Sequence, residues 1–228
     1  MSINAEALES WNLNAPHWDS NHGVDGNIYW QRLQQPCLTR LLGSRLSDAS
    51  APINVLELST GNGIGARWMA SHGAHVNVLA TDGSPNMVEA AIQRGDGDGR
   101  IKFDVLDVTS VDNCQPFIEK AKALGGFDVI LSNMAIQDIP TLEPMAAMLP
   151  KLLKKGGMFV AELLHPVFMT SIHKRQITFA NAVDRDETDV RGKLIIEYLK
   201  VDPYKSGTFA AQPNAQVSWH VCAGAPAN

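Results

Sequence analysis

The chain has 228 residues, 45% of them hydrophobic, which is enough to bury one sizeable core and makes a single domain over residues 1–228 the simplest expectation. Its formal net charge of -5 argues against broad nucleic-acid binding, which needs a basic face. The first six residues include an acid and no apolar core, and no run is long enough to span a bilayer, so we expect a cytoplasmic protein with no membrane partner.

Aromatic residues are concentrated before the first predicted strand. Apolar positions repeat with helical spacing over Tyr29–Leu42, which predicts a helix there. We interpret residues 1–42 as an N-terminal helical cap that ends in this first helix. Trp30 is expected to pack on the core, whereas for Trp18 core packing and a place in the cap over a ligand are equally supported.

A strand, a glycine turn and a helix follow. The apolar run Ile53–Leu58 is typical of a buried strand in a parallel sheet, and Gly61 and Gly63 let the backbone approach a ligand closely. Such a unit forms the ligand crevice at the carboxyl end of a doubly wound sheet. The run from Gly61 to Ala66 also satisfies the dinucleotide fingerprint, so an NAD(P)- or flavin-linked oxidoreductase is an alternative.

Glu57 distinguishes between these cofactors. In a turn that binds pyrophosphate, the anion lies over the helix N-terminus, and a carboxylate just before the turn would repel it. A cofactor with a cationic end suits Glu57, and S-adenosylmethionine has an α-ammonium, a sulfonium and no phosphate. The alternative is that Glu57 caps the amides of its own loop.

Acids also follow the next two predicted strands. A second strand over residues 75–80 leads to Asp82, which can accept both ribose hydroxyls or can be an ordinary turn residue. Ser84 and Pro85 then predict the start of a helix. A third strand, Ile101–Val105, leads to Asp107, which could accept the exocyclic amine of an adenine.

Two more strands complete the predicted sheet. Phe127–Leu131 opens onto the turn at residues 132–135, and a lysine-glycine turn at residues 154–157 leads into Met158–Leu163. Strands alternate with helical stretches throughout. The sequence therefore predicts an α/β fold, a Rossmann-like, doubly wound, mostly parallel sheet with helices on both faces, whose cofactor-binding core is 52–168.

The order of these motifs resembles that of class I S-adenosylmethionine-dependent methyltransferases. The matching motifs are Glu57-x-x-x-Gly61-x-Gly63, Asp82, Asp107, Phe127-Asp128 with Asn133, and Lys154-Lys155-Gly156-Gly157. Asn62-Gly63, Asn133-Met134-Ala135 and Leu164-His165-Pro166-Val167-Phe168 are similar to a narrower group that methylates small molecules and has a Trp-rich N-terminal cap. The resemblance covers roughly residues 10 to 170.

The resemblance implies cofactor-binding roles for the matched positions. Those assigned to the methionine end are Glu57, Ser59, Gly61, Asn62 and Gly63, and Asn133 is expected to contact it through its backbone. Those assigned to the ribose and adenine are Asp82, Met87, Asp107 and Val108, and Gly83 and Met134 are further cofactor-binding positions. Ser59 stands where the family most often has glycine, and we expect a serine to fit there if its backbone torsions are ordinary.

The predicted chemistry is methyl transfer to a small molecule, with oxygen slightly preferred over nitrogen, sulfur or carbon as the acceptor atom. Holding the nucleophile near the sulfonium methyl in a desolvated site can supply much of the acceleration. His165 is a candidate general base just beyond the fifth strand, although a His-Pro pair can also be only a turn. Gln137 and Asp138 can face the acceptor, and no residues have the spacing of metal ligands.

Residues 169–228 are interpreted as a lid or tail on the acceptor side. A strand over Lys193–Val201 is expected to pair with Gln216–Val221. Relatives of this type usually continue past a histidine like His220 into further strands, so either those strands are missing or segments after residue 170 replace them. A missing pair would leave a sheet edge bare, which favours a homodimer, and it motivates a non-catalytic methyltransferase-like protein as an alternative.

Overall fold

The computed structural model describes the backbone of residues 2–95, 98–164, 175–180, 190–195, 204–206, 211–214 and 216–218. Side chains are described over 2–95, 98–164 and 211–214. The predicted catalytic residue His165, and also His220, lie outside the described residues.

Helices and strands alternate along the first 162 residues. The helices are α1 (Ile3–His22), α2 (Gln35–Leu46), α3 (Ile64–Ala70), α4 (Pro85–Gln93), α5 (Val111–Leu124) and α6 (Glu143–Leu152). The strands are β1 (Ile53–Leu58), β2 (Val76–Asp82), β3 (Ile101–Val105), β4 (Phe127–Asn133) and β5 (Leu153–Glu162). A π-helical turn, Trp30–Gln34, leads into α2, and a 3₁₀ turn, Ile136–Asp138, follows β4.

The five strands are parallel and form one sheet in the order β3-β2-β1-β4-β5. The chain starts at the centre of the sheet with β1, moves outward to β3 and then returns to β4 on the other side. This reversal is the topological switch point at which doubly wound sheets bind ligands. The Rossmann-like prediction is confirmed.

Each face of the sheet is covered by helices. Leu42 of α2 and Met69 of α3 pack on one face, whereas Phe117 of α5 and Met148 of α6 pack on the other. Strand β1 is buried along nearly its whole length because both of its faces are covered, which is why its sequence is a continuous apolar run rather than an alternating one. Because helices cover both faces, a ligand-binding site is expected at the carboxyl ends of the strands.

The N-terminal region contains more helix than the sequence indicated. The predicted helix at residues 29–42 is present as the π-helical turn followed by α2, but the 20-residue helix α1 precedes it. Ser2 caps α1 by accepting a hydrogen bond from the Ala5 amide at 3.3 Å. Helix α4 begins as predicted, with the Ser84 hydroxyl accepting from the Met87 amide at 3.2 Å.

The strand pairing predicted for the C-terminal segment is wrong. Strand β6 (Arg175–Ala180) pairs with β7 (Val190–Ile195), and β8 (Tyr204–Ser206) pairs with β9 (Gln216–Ser218), both antiparallel. Each strand thus pairs with a neighbour close in sequence, a common outcome because short connections lose less chain entropy. In the described part of the chain, no strand adds to the outer edge of β5.

Candidate active site

A cavity of about 940 Å³ lies at the carboxyl ends of the parallel strands. Its walls come from the strand-end loops and from the cap, including Leu8, Trp11 and Trp18 of α1. Ten of the predicted cofactor residues line it: Ser59, Gly61, Asn62, Asp82, Gly83, Met87, Asp107, Val108, Asn133 and Met134. Glu57 and Gly63 are not among the lining residues.

Asp82 joins two loops at the end of β2. Its carboxylate accepts hydrogen bonds from the Gly61 amide and the Ser84 amide, both at 2.9 Å. Burial nevertheless raises the pKa of Asp82 to about 6, because the two amide hydrogen bonds only partly offset the lost hydration. Each oxygen keeps a lone pair, so Asp82 can still accept hydroxyl donors from a ligand in the cavity.

Asp107 presents one oxygen to the cavity. Its Oδ1 accepts from the Thr109 amide at 2.8 Å and from the Thr109 hydroxyl at 2.6 Å. Its Oδ2 receives no hydrogen bond from the described residues. The adjoining wall is apolar, formed by the buried side chains of Met87, Leu106 and Val108. An apolar slot beside a single open carboxylate oxygen is suited to a flat base with an exocyclic amine.

Glu57 lies beneath the turn rather than in the cavity wall. It is 2% exposed and accepts hydrogen bonds from the Thr60 hydroxyl and the Ala66 amide. Desolvation raises the pKa of Glu57 to about 7, against the lowering effect of these two hydrogen bonds. This is the position of a carboxylate that caps its own loop, and the geometry does not support the predicted direct contact with the methionine end.

Two glycines of the turn, Gly63 and Gly65, make room for other parts of the protein rather than for a ligand. A Cβ at Gly65 would come within 2.0 Å of Glu57 Oε1, so this glycine makes room for the buried carboxylate. Gly63 has φ 78° and caps α3, and a Cβ there would be 3.2 Å from the Cβ of Ala91 in α4. The predicted role of Gly63 at the cavity is therefore replaced by a role in forming the turn.

The backbone torsions of Ser59 are not the ordinary ones under which we expected a serine to fit. Its φ is 57°, in the left-handed region that costs a residue with a Cβ roughly 1 to 2 kcal/mol. Met134, after β4, has φ 54°. Both residues line the cavity, and strained backbone is often found where a ligand-binding loop must keep one shape.

The cap closes the cavity with aromatic rings. Trp18 lines it, stacks on His22 with ring centroids 5.5 Å apart, and meets Trp11 edge to face at 5.3 Å. Desolvation, aided by the positive charge of Arg67, lowers the pKa of His22 and favours its neutral form. Trp30 is instead buried in the core, as predicted.

Asp19 fastens the cap to the core. It accepts two hydrogen bonds from Arg94 at the end of α4, at 2.9 and 2.8 Å, and one from the side-chain amide of Asn62 at 3.1 Å. Burial acts to raise the pKa of Asp19, but these hydrogen bonds outweigh it and hold the pKa below its usual value. The same Asn62 amide also donates to the Gly23 carbonyl at 3.1 Å, so it binds the cap rather than a ligand.

Glu162 is a cavity residue that the sequence analysis missed. It ends β5, lines the cavity and is paired in register with Asn133, while the Met134 amide donates to its carbonyl at 2.7 Å. Desolvation raises the pKa of Glu162, although a hydrogen bond with the Cys37 thiol acts in the opposite direction. The available signal was its place at the carboxyl end of a predicted parallel strand, but our prediction chose His165 instead.

The described residues that line the cavity include no lysine or arginine. No group of three His, Cys, Asp or Glu residues in the described ranges is placed to hold a metal ion. None of the helices that the structure describes is both long and apolar enough to cross a membrane.

Comparisons with known proteins agree with this fold. Residues 56–159 match the model of a family described as "Methyltransferase domain". A candidate S-adenosylmethionine-dependent methyltransferase from Listeria monocytogenes has a similar structure, with a TM-score of 0.53 and 16% identity over 82% of this chain and 75% of that one. The sequence matches none of the curated proteins with which it was compared.

Two further structures overlap this chain less completely. One is a SAM-dependent methyltransferase from Aquifex aeolicus, with a TM-score of 0.46 and 13% identity over 60% of this chain and 68% of that one. The other is a SAM-dependent methyltransferase from Agrobacterium tumefaciens, with a TM-score of 0.44 and 19% identity over 56% of this chain. The match spans 44% of the Agrobacterium protein, less than two thirds of its length.

Proposed function

We propose that this chain is a class I S-adenosylmethionine-dependent methyltransferase and that its cavity transfers a methyl group to a small-molecule acceptor. The ends of β3, β2, β1 and β4 would hold the cofactor. The acceptor would bind beyond it, beside β5 and beneath the cap.

The order of side chains along the sheet edge carries this proposal. Asp107, Asp82, the Ser59–Gly61 turn and Asn133 lie at the carboxyl ends of β3, β2, β1 and β4, which are neighbours in that order. Adjacent strands are about 4.8 Å apart, so four strand ends span roughly 14 Å. That length suits an extended nucleoside with an amino-acid tail, with the base at Asp107, the ribose at Asp82 and the tail at the β1 and β4 turns.

The turn is poorly suited to a dinucleotide pyrophosphate. The Thr60 amide donates to the Thr81 carbonyl, the Gly61 amide to Asp82, and the Gly63 amide to the Thr60 carbonyl, at 2.8 to 3.0 Å. These three amides already have acceptors, whereas a pyrophosphate needs free ones. Four carboxylates also line the cavity, namely Asp82, Asp107, Asp138 and Glu162. These features count against the oxidoreductase alternative.

The bound cofactor would supply a sulfonium methyl that is transferred by in-line displacement. The chain's contribution is to bind, orient and exclude water. Asp82 would hold the ribose, and Trp18 with its neighbours in the cap would cover the site and exclude water from the acceptor. Two points stay predictions. One is the preference for oxygen as the acceptor atom, and the other is the role of His165 as a general base.

Calorimetric titration tests the cofactor. We expect S-adenosylmethionine and S-adenosylhomocysteine to bind, and NAD and NADP not to bind; binding of the dinucleotides alone would refute the proposal.

Asp107 is tested with S-inosylhomocysteine, which lacks the exocyclic amine. Asp107→Ala should reduce the preference for the adenine form by roughly tenfold or more, since a hydrogen bond to a charged group is worth about 1.5 to 3 kcal/mol.

Asp104→Ala is the matched control for Asp107→Ala. Asp104 lies on β3, the strand that Asp107 follows, and pairs with Lys120, but it does not line the cavity, so the preference should not change. An equal preference in wild type and Asp107→Ala would show that Asp107 does not contact the adenine amine.

Turnover separates the enzyme from the non-catalytic alternative. Cofactor binding without methyl transfer to any of a broad panel of phenols, amines, acids and thiols would favour the latter. We also propose that two copies of the chain form a homodimer through the β5 edge. Light scattering tests this, and a mass equal to that of the monomer at all protein concentrations would contradict it.

A further inference from the structure

Three buried acceptor oxygens on the β4 and β5 side of the cavity receive no hydrogen bond in the described part of the chain. They are Asn133 Oδ1, Gln137 Oε1 and Glu162 Oε2. All three residues line the cavity. A buried polar atom without a partner costs about 1 to 3 kcal/mol, so three in one place point to a ligand that supplies donors.

The orientation of the Gln137 amide follows from its other contacts, whereas the Asn133 amide pairs with the amide of Gln34. The Nε2 of Gln137 donates to the Met134 carbonyl and approaches Asp138 Oδ2 at 3.4 Å, and both of these atoms are acceptors. The carbonyl oxygen of Gln137 must therefore be the end without a partner, although the side chain is only 6% exposed. The Nδ2 of Asn133 donates to Gln34 Oε1 at 3.2 Å, which leaves its Oδ1 open.

The charge of the cavity favours a cation. The acidic lining residues have no lysine or arginine among them in the described ranges, so an anionic acceptor would be repelled. Burial raises the pKa of Glu162, which shows that its carboxylate has lost hydration that no cationic side chain replaces.

The positions of Gln137 and Glu162 assign their two open oxygens to the acceptor rather than to the cofactor, whereas Asn133 lies at the border between the two. Glu162 ends β5, which is one strand farther from Asp107 than Asn133 on β4. Gln137 lies in the 3₁₀ turn after β4. The proposed cofactor position ends at the β1 and β4 turns, so Glu162 and Gln137 border the space beyond it.

We propose that Gln137 and Glu162, with Asn133 at the border of the cofactor position, form an amine-recognition site and that the small molecule methylated by this enzyme carries a primary or secondary amino group. An ammonium offers up to three donors and no acceptor, which matches three acceptor oxygens and the negative wall. This inference rests on the proposed function. It concerns recognition of the amine, whether the methyl group is placed on its nitrogen or on a neighbouring atom.

The test uses three ligands that differ in one group, namely 2-phenylethylamine, 2-phenylethanol and phenylacetate. Each is titrated into the full chain saturated with S-adenosylhomocysteine. We expect the amine to bind at least tenfold more tightly than the alcohol, and phenylacetate to bind most weakly. Glu162→Gln should remove most of the amine's advantage without changing the affinity for S-adenosylhomocysteine or the alcohol. Glu143→Gln, at the exposed start of α6, is the matched control.

Two results would overturn the inference while leaving the proposed function intact. One is equal binding, or equal lack of binding, of the amine and the alcohol to a protein that binds S-adenosylhomocysteine. The other is a Glu162→Gln variant that loses affinity for S-adenosylhomocysteine but not for the amine, because the open oxygens would then serve the cofactor. Failure to bind S-adenosylhomocysteine would refute the proposed function itself, and the inference with it.

Discussion

Replacing Glu57 by glutamine should make the protein more stable at neutral and alkaline pH. The variant keeps the shape of the side chain and its oxygen facing the Ala66 amide, and the Thr60 hydroxyl can turn to accept from the new amide. It removes a charge that is buried at 2% exposure. An uncompensated buried charge costs stability, and glutamine has no charge to desolvate.

The size of the effect follows from the pKa shift of Glu57. The folded-state pKa is about 7 against an ordinary 4.5, so folding favours the protonated form. The contribution is fully present below pH 4.5 and is lost as the pH rises through 7. One pKa unit corresponds to 1.36 kcal/mol, so the full loss is about 3 kcal/mol, of which roughly 2 to 3 kcal/mol falls between pH 5 and pH 8.

Urea unfolding at pH 5 and pH 8 measures this difference. The free energy of unfolding of Glu57→Gln, relative to wild type, should increase by roughly 2 to 3 kcal/mol from pH 5 to pH 8. Subtracting wild type at each pH cancels the other titrating groups. The exposed Glu89→Gln variant is the control and should show no such increase. A Glu57→Gln variant that is less stable than wild type at pH 8 would refute the reasoning, because Glu57 would then act as an ionised cap.

Three further changes test the turn and the cap. Ser59→Gly should stabilise the protein by about 0.5 to 1 kcal/mol in urea unfolding, because φ 57° suits glycine; a loss of stability would mean that the serine side chain outweighs the strain. Gly83→Ala places a Cβ 2.6 Å from Leu8 Cδ2 and should destabilise the protein by about 1 kcal/mol, with Leu8→Ala in the same chain restoring part of it. Additive effects of those two changes would show that α1 does not pack against Gly83. Asp19→Ala should weaken S-adenosylhomocysteine binding roughly tenfold by releasing Arg94 and Asn62 from the cap, whereas Glu119→Ala, which removes an exposed pair with Lys122, should not change it. Unchanged affinity in Asp19→Ala would separate the cap from cofactor binding.

The parallel sheet and most of the cofactor site could be predicted from the sequence because their signals are local. A buried parallel strand is a continuous apolar run, and the residue after it lies at the ligand edge of the sheet. Asp82 and Asp107 were identified in this way, and both line the cavity. Ser84 with Pro85 likewise marked the start of α4.

Other features depended on contacts between distant residues. The sequence identified Glu57 as important but did not show which way its side chain points, because a carboxylate before a turn can face either the ligand or its own loop. The Glu57 side chain points into the protein because Gly65 leaves space for it and the Ala66 amide donates a hydrogen bond to it. The helix α1 carries a weak apolar pattern because much of its contact with the core is polar, through residues such as Asp19.

The sequence by itself determined the fold class and the ligand edge of the sheet, because strand periodicity and strand-end chemistry are encoded in short runs of residues. Only the tertiary structure decided which side chains share one cavity. It brought Glu162 of β5 next to Asn133 of β4 through sheet pairing, and it left their oxygens without donors. Whether a polar atom is satisfied depends on everything packed around it, and that is a property of the folded chain.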